Sequence, residues 1–224
     1  MATLDHWEID NPLDMAAVWT KLIGQPTENA AETQSQMDVI LMDTPIQSDN
    51  NCLEVGCGAG RLLAELYRRH RFQFLYGVDS SLSMQLAGNR YLSSRIPDIS
   101  RVKLLPSDGL HLPFADNIFG FVFSFTVLQH QRSLALVYRM LAEIHRVLLP
   151  TGLARLQTVA SGDLPPNELT VFDGRVFRGT EDFRRALQSV GFRVINCQQG
   201  LTHEQHLWAT VGKGSAKDRP RIGQ

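Results

Sequence analysis

The chain has 224 residues, with 22 Lys and Arg against 23 Asp and Glu and a formal net charge of −1. That balance excludes a global electrostatic pull toward nucleic acid or an anionic membrane, and leaves only local patches. A hydrophobic content of 43% with 20% charged residues excludes a disordered chain, and the length suits one α/β domain with a well-buried core.

Cys52, Cys57 and Cys197 are odd in number and form no C-x-x-C pair. A disulfide framework or zinc ribbon is therefore not expected, and a reducing cytoplasm with the thiols as small buried side chains fits better. The opening MATLDHWEID has no basic stretch followed by an apolar run, so no secretory signal is expected there, and no apolar run approaches the length of a membrane span.

Residues 1–48 read as an N-terminal helical cap. In NPLDMAAVWTKLIG, Asn11 is placed as N-cap, Pro12 as the first helical residue and Gly24 as the stop, with Met15, Trp19 and Leu22 on one apolar stripe. ENAAETQSQMDVILMD reads as a second helix, ended before Pro45. From 49 to 213 the pattern changes to β-rich runs alternating with helical stretches. Strands are expected at 52–55, 74–79, 101–107, 119–126, 152–160, 192–199 and 205–213, and helices at about 60–70, 81–95, 133–148 and 180–190. Such alternation makes a doubly wound, mostly parallel α/β sheet with helices on both faces. Only GLTH separates the last two runs, too short for a parallel crossover, so they are expected to pair antiparallel. The polar tail 214–224, with its Pro and Gly, is expected to be disordered. RRHR, Arg68 to Arg71, falls at the end of a helix, where cations complement the dipole.

The stretch CLEVGCGAGR, Cys52 to Arg61, puts three glycines between the first strand and its helix, the general nucleotide-binding device of doubly wound folds. A P-loop needs Gly-Lys-Ser/Thr where this chain has Gly60, Arg61 and Leu62. A dinucleotide fingerprint needs G-x-G-x-x-G, but its third position falls on Arg61, one residue after Gly60. Arg61 is read as starting the helix and facing solvent or the pocket rim, without a chemical role. The stretch resembles instead the first motif of class I S-adenosylmethionine-dependent methyltransferases, an acidic residue followed by G-x-G-x-G. The amino-acid end of that cofactor carries an ammonium, for which Glu54 and the loop carbonyls are suitable acceptors.

Further motifs carry the resemblance along the chain, from about 50 to 213. LYGVDSS ends the second strand on Asp79, the residue that would grip both ribose hydroxyls, with Ser80 beside it; capping of the next helix is its other possible role. LLPSDGLHLPF supplies Asp108 near the adenine amino group, or as an Asx-turn residue, and Gly109 or Leu110 as the amide facing the ring. LPFADNIFGFVFSFTVLQH resembles the fourth-strand motif, with Asp116 as a turn residue, and EIHRVLLPTG the approach to the fifth strand. The resemblance implies a Rossmann-like seven-stranded sheet, S-adenosyl-L-methionine as cofactor, and Glu54, Gly56, Cys57, Gly58, Gly60, Asp79, Ser80, Asp108, Gly109, Leu110 and Ser124 around it.

A sulfonium methyl is already electrophilic, so the enzyme's task is largely alignment, with a base needed only where the acceptor must lose a proton. The loop SFTVLQHQ lacks the [DNS]-P-P-[YF] signature of amino-group methylation on DNA bases or glutamine amides and the Pro-Cys of cytosine-C5 enzymes. No metal-ligand cluster appears, which disfavours a metal-dependent catechol type. His130 is the candidate base, with a structural role or a contact to the methionine end as its alternative. Phe125 and Thr126 are placed in the pocket wall, and Trp7, Trp19, Phe172 and Phe177 as apolar lining from the N-terminus and the loop at 161–179, with core packing as the alternative. The small additions to the core favour a small-molecule acceptor methylated at O or N, such as a metabolite or natural-product intermediate. An RNA or protein methyltransferase and a non-catalytic cofactor-binding subunit are the rival readings. A monomer or homodimer without membrane or nucleic-acid partners is expected.

Overall fold

A computed structural model describes residues 7–46, 50–70, 72–107, 110–161 and 177–214. Seven strands form one sheet: β1 (Asn51–Val55), β2 (Leu75–Asp79), β3 (Val102–Pro106), β4 (Phe119–Ser124), β5 (Leu148–Val159), β6 (Phe192–Gln199) and β7 (His206–Lys213). Their order is β3-β2-β1-β4-β5-β7-β6. The pairs from β3 to β5 are parallel, and β7 runs antiparallel to both β5 and β6. This is the doubly wound sheet with an antiparallel last strand that the alternating pattern implies.

Helices α1 (Met15–Ile23), α2 (Ala30–Leu41), α3 (Arg61–Arg69) and α4 (Leu82–Arg95) cover one face. Their apolar sides, including Trp19, Met37, Leu63 and Leu92, pack on Cys52, Phe121, Phe123 and Trp208. Helices α5 (Leu134–Val147) and α6 (Thr180–Val190) cover the other face, where Leu141, Ile144 and Phe183 pack on Leu53, Val122, Leu156 and Ala209. Successive strand residues serve opposite faces, so the central strands are apolar almost throughout, as parallel strands buried on both sides must be.

Of the boundaries that differ from the sequence reading, two have a clear physical cause. Helix α1 is capped by Asp14, whose carboxylate accepts from the amides of Ala16 and Ala17, not by Asn11. Asn11 instead closes a turn, its Oδ1 accepting from Leu13 N–H at 3.2 Å and its carbonyl from Asp14 N–H at 3.1 Å. Two carboxylate bonds at Asp14 outweigh the single Asn-Pro start. Strand β5 begins at Leu148 rather than 152, because α5 passes straight into it. Pro150 cannot extend the helix and holds its predecessor extended, and the register against β4 shifts between Phe119 and Phe121. Arg68 and Arg69 of RRHR both pair with Glu65, and Arg69 also with Asp38. Arg71, the loop positions 162–176 and the tail from 215 lie outside the described residues.

The β3–β4 connection, which borders the site, is fastened to α5 by Arg146 and Glu143. Arg146 donates to the carbonyls of Leu112 (3.0 Å) and Phe114 (2.7 Å), to Asp116 (2.8 Å) and to Glu143. Glu143 in turn accepts from Leu112 N–H at 2.9 Å, and the Arg146 hydrogen bond holds its carboxyl below the usual range. Charge-assisted bonds to backbone carbonyls are among the stronger polar contributions. Arg146→Met is therefore expected to lower stability by about 1.5–3 kcal/mol, read as a lower urea midpoint at unchanged m-value; an unchanged midpoint would show that the connection holds itself.

Candidate active site

Strand β1 delivers its chain into the turn Gly56–Gly60, where Gly56, Gly58 and Gly60 have φ of 78°, 50° and 78°. These are left-handed conformations that side-chain-bearing residues adopt only with strain. Space forbids a side chain as well: a Cβ at Gly58 would lie 2.7 Å from Leu22 Cδ2, and one at Gly56 would run into Val127. The amides of Gly56 and Cys57 both donate to Val78 O, at 2.8 and 3.0 Å, which ties the turn to the end of β2. Cys57 is buried, and burial pushes its thiol well above the ordinary range, as a core thiol beneath the turn.

Carboxyl groups gather around this turn. Glu54 is 3% exposed on β1, and its Oε2 has no hydrogen-bond partner. Burial raises its pKa well above the usual value; Arg61 opposes the shift and Asp79 adds to it. Asp79 ends β2, its Oδ2 accepting from Gly58 N–H at 2.7 Å and its Oδ1 from Ser81 N–H at 3.0 Å. Burial still leaves its pKa raised, with Glu8 adding repulsion. Glu8 itself caps α4, accepting from Leu82 N–H at 2.9 Å and Ser83 N–H at 3.1 Å. Arg61 is the cation against this group. It starts α3 as expected, but it turns inward, donating to Thr33 Oγ1 of α2 at 3.1 Å with Glu54 as its leading opposite charge.

The remaining sequence-derived residues separate into those at the strand ends and those in the core. Ser80 follows Asp79, and Ser81 rather than Asp79 is the N-cap of α4, accepting from Met84 N–H at 3.1 Å. Ser124 is buried, its hydroxyl donating to Val55 O at 3.1 Å and joining the ends of β4 and β1. His130 lies on a 3₁₀ turn, Leu128–His130, after β4, and meets the Trp7 ring edge-on at 5.2 Å. Trp7 also carries the ammonium of Lys21 over its ring at 5.9 Å, and its carbonyl accepts from Ser81. Phe125 stacks on Trp208 at 5.5 Å. Thr126 is exposed with φ 56°, its N–H donating to Gln157 Oε1 at 2.8 Å. Trp19 is buried edge-on against Tyr91 at 5.1 Å, and Phe177 is buried 5.0 Å from Phe183, so both rings pack in the core. Leu110 is half-buried in the β3–β4 connection; Asp108, Gly109 and Phe172 lie outside the described residues.

Glu8 and Gln157 are site residues that the sequence reading did not single out. Glu8 acts across more than seventy positions of chain, and no local pattern marks a carboxylate as the cap of a distant helix. Gln157 carried one readable signal, a polar residue inside an apolar strand.

The Glu8 cap fixes the N-terminal segment over the site. Burial raises its pKa, but bonds from Ser83, Leu82 and Ser81 together lower it by more, so the net shift is downward. A depressed folded pKa gives stability that is complete above the ordinary carboxylate range and is lost as pH falls through the lowered value. Glu8→Ala is expected to speed amide exchange at Leu82 and Ser83 about fivefold at neutral pH, equivalent to a cap of about 1 kcal/mol. Exchange as slow as in the wild type would mean that the segment is held by other contacts.

Comparison with known proteins points to methyltransferases. A methyltransferase-domain family model matches residues 53–156, from β1 into β5. The methyltransferase GfsG of Streptomyces halstedii is 29% identical over 188 residues, covering 84% of this chain and 59% of that protein. The sterol 24-C-methyltransferase erg6 of Schizosaccharomyces pombe is 29% identical over 170 residues, covering 71% of this chain and 44% of that one. The chain thus spans about half the length of these curated relatives. In fold it is similar to phosphoethanolamine N-methyltransferase 2 of Haemonchus contortus in complex with S-adenosyl-L-methionine, with a TM-score of 0.64 at 17% identity, covering 84% of this chain and 53% of that one. Among the described residues no group of three or more His, Cys, Asp or Glu could hold a metal ion, and no helix is long and apolar enough to cross a membrane. Strand order, glycine turn and the matched methyltransferase-domain segment are together similar to those of class I S-adenosylmethionine-dependent methyltransferases.

Proposed function

We propose that the protein transfers a methyl group from S-adenosyl-L-methionine to an O or N atom of a small molecule. The observation that carries the cofactor half of this reading is the charge at the glycine turn. Glu54, Asp79 and Glu8 supply carboxyl groups there, against the guanidinium of Arg61. A pyrophosphate would meet repulsion in such a site, whereas a ligand bearing an ammonium and a sulfonium would be drawn in. The unpartnered Oε2 of Glu54 fits that ammonium, since a buried carboxylate oxygen needs a donor.

When bound, the cofactor supplies a methyl group made electrophilic by its sulfonium. The chain's part is to bind and align. The Asp79 carboxylate takes backbone bonds from Gly58, Ser80 and Ser81, which fix its orientation and suit it to present its remaining acceptor capacity to the ribose hydroxyls. Gly56 and Gly58 let the backbone approach, while Ser80 and Leu110 are assigned to the adenosine side. Phe125, Thr126 and Trp7 form the acceptor wall. His130, beside Trp7, is the group assigned to take a proton from an acceptor that must lose one.

One relative is named for a sterol, a small apolar acceptor, methylated at carbon. The pairing of Arg68 and Arg69 with Glu65 removes part of the basic footprint that an RNA partner would need. A cytoplasmic protein, monomeric or homodimeric, without membrane or nucleic-acid partners, belongs to the same proposal.

Labelled S-adenosylmethionine offered with a panel of small acceptors tests the reading directly. The expected product gains one methyl group, and its NMR spectrum places the methyl on O or N; a new carbon–carbon bond would move the assignment to the sterol-like class. Asp79→Ala is expected to weaken S-adenosylhomocysteine binding at least tenfold, the effect of losing charge-assisted bonds worth about 1.5–3 kcal/mol. Unchanged affinity by calorimetry would defeat the ribose assignment. Because burial holds Glu54 protonated more readily than an ordinary carboxyl, seating an ammonium on it should expel a proton. Titrations in buffers of different ionisation enthalpy are expected to show that proton release, and Glu54→Gln to abolish it.

A further inference from the structure

Among the described residues, one poorly satisfied buried charge lies away from the glycine turn. Arg155, on β5, is 1% exposed. Its Nη1 donates to Thr210 Oγ1 of β7 at 2.6 Å, and its guanidinium lies over the Trp208 ring at 5.0 Å. Its Nε and Nη2 have no hydrogen-bond partner. Buried cations are ordinarily paired with an anion, because removal from water is otherwise uncompensated. Here burial pushes the guanidinium down to about 10, and the leading charge that opposes the shift is Asp43.

Asp43 and Thr210 both line a cavity of about 440 Å³, together with Asn50 and Arg193. The cavity opens at the amino-terminal ends of the parallel strands, against Phe121 of β4 and Leu153 of β5. The glycine turn follows the carboxyl end of β1, so a strand length of about 16 Å separates the two regions. Three features of the lining favour an anion. Thr210 uses its oxygen to accept from Arg155, so its own O–H is free to donate onward. Arg193 has no ion pair among the described residues, and its guanidinium rests against Gly212, where a Cβ would come 3.0 Å from Nη2. The charges of Arg155 and Arg193 exceed that of Asp43 by one, which a single anionic group would balance.

We propose that this cavity is a second binding site, separate from methyl transfer, for a small oxyanion: a carboxylate or phosphate group held by Arg193 and Thr210, with Arg155 behind them as its counter-charge. The inference is independent of the acceptor and of the catalytic reading. It accounts for an arginine whose replacement by an apolar residue would otherwise be expected to stabilise the protein.

Thermal unfolding of the full chain in sodium phosphate and in sodium succinate, each against sodium chloride at equal ionic strength, tests the proposal. At least one of the two is expected to raise the melting temperature by about 3–5 °C near saturation, and the active one identifies the source of the oxyanion. The rise is expected to disappear in Arg193→Gln and in Arg155→Met, while S-adenosylhomocysteine affinity of Arg193→Gln stays at the wild-type value. Absence of protection by either anion overturns the proposal. So does equal protection of wild type and Arg193→Gln, which would be a general salt effect. Arg193→Gln decides alone if Arg155→Met does not fold.

Discussion

The arrangement at the active end depends on holding Glu54, Asp79 and Glu8 close together against their mutual repulsion. Each is stabilised differently. Glu54 faces Arg61, Asp79 takes backbone amides from Gly58 and Ser81, and Glu8 takes those of Leu82 and Ser83. The sheet alone provides only part of this. Arg61 is positioned by Thr33 of α2, and Glu8 comes from the segment ahead of α1. The N-terminal helices are therefore electrically part of the site as well as a cover for Phe121 and Phe123. Their loss would expose apolar surface and also leave buried carboxyl groups with fewer compensating partners.

What could be read in the sequence followed from local periodicity and from glycine. Seven β-rich runs, the short GLTH connection and the three clustered glycines set the sheet, its antiparallel end and the position of the turn. Each signal is local, because strand pattern and positive φ act within a few residues. What escaped was set by tertiary partners. Arg61 looked like a solvent-facing helix start because its Thr33 and Glu54 partners lie on other elements. The sequence leaves Trp19 and Phe177 open between pocket lining and core packing, because an aromatic ring carries no mark of which face it will occupy. Asn11 lost the cap position to Asp14 because competing caps three residues apart differ by little.

Strand β5 links the two ends of the molecule. Its middle carries Arg155 toward Thr210, and two residues later Gln157 faces the same side of the sheet near the end of β4. One strand thus places a cation toward the amino-terminal cavity and a neutral amide toward the acceptor wall. The division matches the charge of the molecule as a whole. Carboxyl groups gather where the glycine turn leaves β1, and Arg155 and Arg193 lie beside the opposite end. A net charge of −1 therefore conceals two local fields of opposite sign.

Gln157 also explains how Thr126 keeps a conformation that a β-branched residue rarely adopts. A φ of 56° is strained for threonine, by about 1–3 kcal/mol. Gln157 is fully buried, and its two amide ends are engaged: Oε1 accepts Thr126 N–H, and Nε2 donates to Thr158 O at 2.7 Å. A side chain fixed at both ends holds that amide in one direction, and so turns the chain sharply after Phe125. The turn carries the backbone into the 3₁₀ segment that ends in His130, next to Trp7. The position of His130 therefore depends on a strained residue four places earlier and on a buried glutamine one strand away, which is why the histidine's setting could not be inferred from its own neighbours in sequence.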